Sequence, residues 1–208
     1  MTESYACNDP AFLSTVDGYR AFPQLLGLLA RGPVDLDGLA EVAGPAGAEL
    51  ARVVRAAPGS EWDRDGRLVG FGITPRPTDY RFLVGGRTLY TWCASDALFF
   101  TVILGTDTVA ESTCPASGRR IRLEVAPDAV TSVTPPEAVV SQLHRDGLVR
   151  NLRSEVCDHG HFFASAASAA GWMAEHPEGR VVSVPDAFAE CRAACEELGW
   201  SSPETATR

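Results

Sequence analysis

Two short segments of this 208-residue chain hold the residue types that could do chemistry: YTWCASD at 90–96 and VCDHGHFF at 156–163. In the first, Cys93 stands three residues before Asp96, where a strand-like run gives way to the helix-like ALFFTVIL. A helix opening at Cys93 or Ala94 would hold the thiol among the unpaired N–H groups of its first turn. Those groups and the helix dipole favour a thiolate. Asp96, three residues on, shares that face. A carboxylate beside a thiolate raises the pKa of both groups and opposes the dipole. Such a pair suits proton exchange between sulfur and oxygen. The same spacing also fits a buried cysteine acting as a small apolar residue, followed by an acid that merely complements the dipole. Taken alone, the segment leaves both readings open.

In the second segment, an extended backbone would point Cys157, His159 and His161 the same way. That is a candidate zinc site in need of one more ligand. CxHxH is not a common zinc spacing, and a polar strand end beside the apolar FFA run fits as well. A Cys-His-Asp hydrolase built from Cys93, one of the two histidines and an acid is a further option. The other cysteines offer less. Cys114 lies in the turn CPASG and reads as structural. Cys191 and Cys195 are one helical turn apart, in line with Phe188 and Leu198, a core stripe. Cys7 falls in an N-terminal stretch, residues 1–18, that reads as loosely ordered. There is no GxSxG elbow, P-loop, GxGxxG after a strand, or HExxH.

The elements that must position these residues follow from periodicity. Phe22, Leu25, Leu26 and Leu29 recur at helical spacing, and Gly32-Pro33 ends that helix. Asp35 or Asp37 can cap a second helix to about Val42, stopped by Gly44-Pro45. A third runs from about Ala46 to Ala57. Asp65-Gly66 then marks a hairpin. Three helices and a hairpin make the outline of a winged helix. Its third helix offers Arg52 and Arg55 against Glu49, and its wing Arg64 and Arg67 against Asp63 and Asp65. Cations offset by acids make a poor phosphate-binding surface. PRPTD at 75–79 divides the chain into residues 1–74 and 75–208. Beyond it come a hairpin at Gly85-Gly86, a helix from Cys93, strands near 108–113, 121–125, AVTSV and AVVSQL, and late helices near 168–176 and 185–198. The expected class is α+β: a winged-helix-like helical part, then a mainly antiparallel sheet with flanking helices.

Bulk composition narrows the function. A formal net charge of -9 disfavours nucleic acid and anionic membrane as partners. All eighteen cations are arginine. The first twenty residues lack the basic start and apolar run of a signal peptide. No window reaches the roughly 18 apolar residues of a membrane span. A cytoplasmic protein with free thiols is expected.

The chain resembles the organomercurial (alkylmercury) lyases of bacterial mercury resistance. The resemblance is carried by ARGPVDLDGLAEVAG, EWDRDGRLVGFGIT, RTLYTWCASDALFF, STCPASG, VCDHGHFFAS and VVSVPDAF, with the two cysteine segments in the family's order. It implies a catalytic trio of Cys93, Asp96 and Cys157, with Cys93, Cys157 and Asp96 also meeting the mercury. It implies a structural Cys114 and an N-terminal part that serves the fold and covers the site. Asp158 stands where some members have another cysteine, and Ser95 where an aliphatic is common. The implied reaction is protonolysis of a carbon–mercury bond to a hydrocarbon and Hg(II). It needs no organic cofactor. Low-molecular-weight thiols, or a mercuric reductase, would then remove the Hg(II). The trio also stands on chemistry, since thiolate is the softest protein ligand for a soft cation and a departing carbanion needs an acid at hand. The rival readings are a thiol-based heavy-metal carrier that cleaves nothing, a lyase-like enzyme for another organometal, and a DNA-binding regulator. For His159 and His161, supporting roles outside the chemistry are expected.

Overall fold

The computed structural model describes residues 17–143 and 151–200. Residues 1–16 of the loosely ordered start, Cys7 included, lie outside the described residues. Asp17 and Gly18 instead begin a 3-10 turn, Asp17–Ala21, that leads into α1 (Phe22–Leu29). Phe22, Leu25, Leu26 and Leu29 form the buried face of α1 as the spacing predicts. The Asp35 carboxylate accepts the Asp37 N–H and caps the next turn, Leu36–Gly38. That turn runs on into α2 (Leu39–Ala56), which is broken at Gly44, where φ is 60° ahead of Pro45. The two helices expected on either side of Gly44-Pro45 are therefore the arms of one kinked element. Only glycine enters that φ region without strain.

Strands β1 (Glu61–Trp62) and β2 (Leu68–Gly70) close the expected hairpin around Asp65-Gly66. The Asp63 carboxylate accepts the N–H groups of Asp65 and Arg67 and so shapes its tip. In this winged-helix-like part three of the cations are neutralised locally. Arg52 pairs with Glu49, Arg55 with Asp37, and Arg67 with Asp63 and Asp65.

The larger sheet comprises β3 (Ile73–Thr74), β4 (Tyr80–Val84), β5 (Arg87–Thr91), β6 (Thr108–Thr113), β7 (Arg120–Val125) and β8 (Val130–Thr134). Its order is β3-β5-β4-β6-β7-β8, with every pairing antiparallel. Gly85-Gly86 makes the two-residue turn that pairs Val84 with Arg87. Period-2 burial puts Tyr80, Phe82 and Val84 of β4 on the core face, with Ile121, Leu123 and Val125 of β7. A second sheet, β10-β9-β11, joins β9 (Val139–Leu143) to β10 (Phe162–Phe163) and β11 (Gly179–Ser183).

Between these layers lies α3 (Ala94–Leu104), of which only Asp96 and Leu104 are not fully buried. A helix that is apolar all round belongs inside, and Gly105 ends it in the left-handed conformation. Short helices α4 (Leu152–Glu155) and α5 (Ala170–Glu175) follow, then α6 (Val184–Leu198). Ser183 caps α6 by accepting the Asp186 N–H, and Gly199 ends it. Cys191 and Cys195 of α6 are fully buried, as the stripe predicts. The helix expected over 168–176 is shorter, because a serine turn occupies its start: the Ser165 hydroxyl accepts the Ser168 N–H. Among the described residues, no helix is long and apolar enough to cross a membrane.

Candidate active site

Cys93 is the N-cap of α3, with its backbone still extended (φ -143°, ψ 174°). Its Sγ accepts the Asp96 N–H at 3.4 Å, and Asp96 Oδ2 accepts the Cys93 N–H at 3.1 Å. This is a capping box with sulfur in the place of the usual hydroxyl oxygen. The sequence dictates it locally, since the spacing from N-cap to N3 is the Cys-x-x-Asp spacing. Asp96 is the one ionisable group on α3. Burial, then the Cys93 sulfur as a charge and as a hydrogen-bond partner, raise its pKa well above the ordinary carboxylate range. Backbone hydrogen bonds from Cys93 and Trp92 oppose this but do not cancel it. A carboxyl in this position is a store for a proton.

Cys157 arrives from a different part of the chain. It opens a 3-10 turn, Cys157–His159, directly after α4. Asn151 caps α4 by accepting the Ser154 N–H. Gly160 N–H donates to Cys157 O at 3.0 Å, and Gly160 O accepts the Ala94 N–H at 3.0 Å. That last bond ties the two cysteine segments together at the backbone. Ser141 of β9 fixes the same loop: its hydroxyl accepts the His161 N–H at 2.8 Å and donates to His159 O at 3.0 Å. As a result, ligand atoms of Cys93, Asp96 and Cys157 lie within 4.8 Å of one another, with both thiols buried.

Gly160 is required by this approach. A Cβ there would lie 3.1 Å from Cys93 Cβ and 3.5 Å from Cys93 Sγ. Gly160→Ala must therefore push Cys93 by a few tenths of an ångström. Because misplacements of about 1 Å cost on the order of 100-fold, turnover should fall by roughly 10-fold while the fold persists. Circular dichroism beside a turnover assay checks this.

The histidines are not part of the group. The extended arrangement that would align Cys157, His159 and His161 is not formed, because the segment turns at Cys157–His159. His159 Nδ1 lies 3.1 Å from His176 Nε2, and His176 Nδ1 lies 3.0 Å from the Trp172 carbonyl. His161 Nδ1 meets the Tyr80 hydroxyl at 2.6 Å, and burial lowers the His161 pKa. Among the described residues the CxHxH zinc site is not assembled, and the group that forms is Cys93, Asp96 and Cys157; the Cys93 sulfur acts on His161 as a charge that opposes the effect of burial. Asp158 is exposed. Cys114 lies in its turn, where Gly118 N–H closes on Cys114 O. Burial raises the Cys114 pKa, but hydrogen bonds from Ser117, Ala164 and Ala116 outweigh it, leaving the thiol below its usual range. The Ala164 bond makes Cys114 a tie between that turn and the segment after β10.

Sequence reasoning missed Glu61. This buried carboxylate accepts from Thr74 Oγ1 at 2.8 Å, Trp92 Nε1 at 3.2 Å and Arg153 Nη1 at 3.1 Å. It pins the hairpin to the residue preceding Cys93. Its partners lie 13, 31 and 92 positions away, so no local pattern could have shown the role.

The raised pKa of Asp96 also has a stability consequence. A group that holds its proton more tightly when folded stabilises the fold fully below its unfolded pKa, and that contribution is lost as pH rises through the folded value. Replacing Asp96 by Asn should leave Tm nearly unchanged near pH 4 and raise it progressively towards pH 8. Each 1 kcal/mol gained corresponds to roughly 2–4 °C in a chain of this size. Thermal melts across that range check the sign.

Residues 73–195 match the family model described as alkylmercury lyase, and residues 18–72 match the helix-turn-helix domain of alkylmercury lyase. The chain belongs to the alkylmercury lyase family. The alkylmercury lyase of Staphylococcus epidermidis is 42% identical over 168 residues, covering 80% of this chain and 77% of that protein. That of Streptomyces lividans is 41% identical over 175 residues, covering 84% and 81%. That of Pseudomonas putida is 43% identical over 168 residues, covering 80% and 79%. The crystal structure of the mercury-bound form of MerB2 shares the fold, with a TM-score of 0.66 at 23% identity over 80% of this chain and 82% of that one. As a member of the alkylmercury lyases, the chain is an enzyme, and its α+β architecture with a helix-turn-helix N-terminal part is the family's.

Proposed function

We propose that this alkylmercury lyase cleaves the carbon–mercury bond of organomercurials by protonolysis, with Cys93 and Cys157 holding mercury and Asp96 delivering the proton. The observation that carries the reading is the convergence, within 4.8 Å, of two buried thiols and one carboxyl. Organic mercury is a soft cation, and thiolate is its preferred ligand. The α3 N-terminus and the Asp96 N–H favour Cys93 as the thiolate that captures R–Hg from a small-thiol adduct, releasing that thiol.

Cys157 then adds to mercury, and its thiol proton passes to the Asp96 carboxylate. Two sulfurs raise the electron density on mercury and weaken its bond to carbon. Asp96 gives the proton to that carbon, the carbon–mercury electron pair becomes the new C–H bond, and R–H leaves. Hg(II) stays bridged between Cys93 and Cys157, and Asp96 is again a carboxylate. Nothing is oxidised or reduced, and in this reading no organic cofactor takes part. Low-molecular-weight thiols, or the cysteines of a mercuric reductase, remove the Hg(II). That need places the enzyme in a reducing compartment, the cytoplasm.

A heavy-metal carrier would account for the two thiols but not for Asp96. A carboxyl set on an otherwise apolar buried helix carries a desolvation cost that metal binding alone does not call for. The test is headspace detection of methane or benzene from methylmercury or phenylmercury with excess small thiol, beside Cys93→Ser, Cys157→Ser and Asp96→Ala. Hydrocarbon that depends on all three residues supports the reading. Mercury bound tightly with no hydrocarbon from wild type contradicts it.

A further inference from the structure

Asp96 and Cys157 both line a small, partly open cavity of about 40 Å³ whose remaining surface is mostly aromatic. Phe22, Phe71, Trp92, Phe99, Phe100 and Trp200 face it, and Cys93 does not. We infer that this cavity seats the organic substituent of the substrate and selects small alkyl groups over aryl ones. The inference rests on the lyase reading given above and adds to it which class of organomercurial this chain takes best.

The placement follows from the chemistry. A mercury held by Cys93 and Cys157 must present its carbon to Asp96. The space that opens beside Asp96 and Cys157 is therefore where the rest of the substituent lies. Aromatic walls suit it, since the group is apolar and leaves as a neutral hydrocarbon. Size decides between substituents. An apolar cavity of about 150 Å³ accepts benzene, whereas about 10–15 Å³ already holds a water-sized occupant. At about 40 Å³ the cavity has room for a methyl or ethyl group, and a phenyl ring must displace its walls.

Those walls do not yield easily. The Phe22 ring packs on Phe71, Phe100 and Trp200 with centroids 6.3, 6.0 and 5.3 Å away. Phe71 meets Trp92 edge-on at 5.5 Å. Gly72 lies so close to Phe100 that a Cβ there would be 2.6 Å from its Cζ. Trp92 is held on its far side by Glu61, and the Arg153 guanidinium lies 5.2 Å over its ring. Moving one ring moves its neighbours, as expected of an interior packed to crystal-like density.

The experiment measures kcat/KM for methyl-, ethyl- and phenylmercury, each with excess small thiol. It compares wild type with Phe100→Ala, which enlarges the cavity, and Leu152→Phe, which narrows it. The phenyl-to-methyl ratio within one enzyme cancels the folded fraction, and comparing that ratio between variant and wild type cancels the intrinsic reactivity of each bond. One methylene in an apolar pocket is worth about 10–200-fold. The ratio should therefore rise at least about 10-fold in Phe100→Ala, and the ethyl-to-methyl ratio should fall in Leu152→Phe. If Phe100→Ala does not fold, Phe99→Leu takes its place. Ratios within about twofold of wild type in every folded variant, with hydrocarbon still released, overturn the size selection and leave the lyase reading standing. If wild type releases hydrocarbon from none of the three substrates, the lyase reading itself fails, and this inference with it.

Discussion

Asp96→Asn is expected to lower hydrocarbon release by about 10²–10⁴-fold, the usual contribution of a general acid, while mercury capture survives. Asn keeps the carbonyl oxygen that accepts the Cys93 N–H, so the cap of α3 and the position of Cys93 are retained. What it lacks is a proton to give. The group of three then has no carboxyl to protonate the carbon, and bulk water has poor access to a site with both thiols buried. Single-turnover gas chromatography gives the rate, and intact-protein mass spectrometry shows the retained R–Hg adduct. A variant that cleaves within about threefold of wild type would remove Asp96 from the chemistry, because so small a loss lies far below a general-acid term. The same substitution should raise Tm above the ordinary carboxylate range of pH, so that activity and stability move in opposite directions.

Cys157→Ser should be at least as damaging, with release reduced by about 10³-fold or more, since groups that act as a unit fail together. The mechanism needs the second sulfur twice: to weaken the carbon–mercury bond, and to supply the proton that Asp96 relays. A serine hydroxyl is a hard, weakly acidic ligand and does neither. The expected species is a stable adduct in which Cys93 holds intact R–Hg. Its mass identifies the substituent still attached. A carrier reading makes a different forecast, in which Cys157→Ser only loosens mercury binding and wild type likewise retains R–Hg. Comparing the trapped mass in wild type and variant separates the two.

Much of the fold was legible because its signals are local. Asp65-Gly66 and Gly85-Gly86 specify hairpins by backbone conformation alone, and both occur where expected. Cys93 could be placed at a helix start because the Cys-x-x-Asp spacing is itself the capping geometry. The segment after Val156 was not legible. Phe162-Phe163 does form a strand, which suggested that the residues before it were extended too. The turn at Cys157–His159 is instead held by Ser141, eighteen to twenty positions upstream. The histidines found partners, His176 and Tyr80, that are 17 and 81 positions away. Cys157 could not be brought to Cys93 by spacing, because the Gly160–Ala94 bond that joins their segments is long-range; the family resemblance supplied that pairing. The aromatic cavity was also invisible. Phe22 stood only in a helical spacing and Phe100 only in the apolar run ALFFTVIL, and only the assembled structure shows the gap that they leave with Phe71 and Trp200 beside Asp96.

The central claim is that solvent-exchangeable protons on Cys157 and Asp96 become the new hydrogen on carbon. Methylmercury should be turned over in D2O with excess small thiol, and the headspace methane analysed by mass spectrometry. Thiol and carboxyl protons exchange with solvent, so the expected product is CH3D carrying one deuterium, formed in step with Hg(II) and reduced by about 10²–10⁴-fold with Asp96→Asn. Methane without deuterium, or CH3D undiminished by Asp96→Asn, would contradict the assignment of these residues.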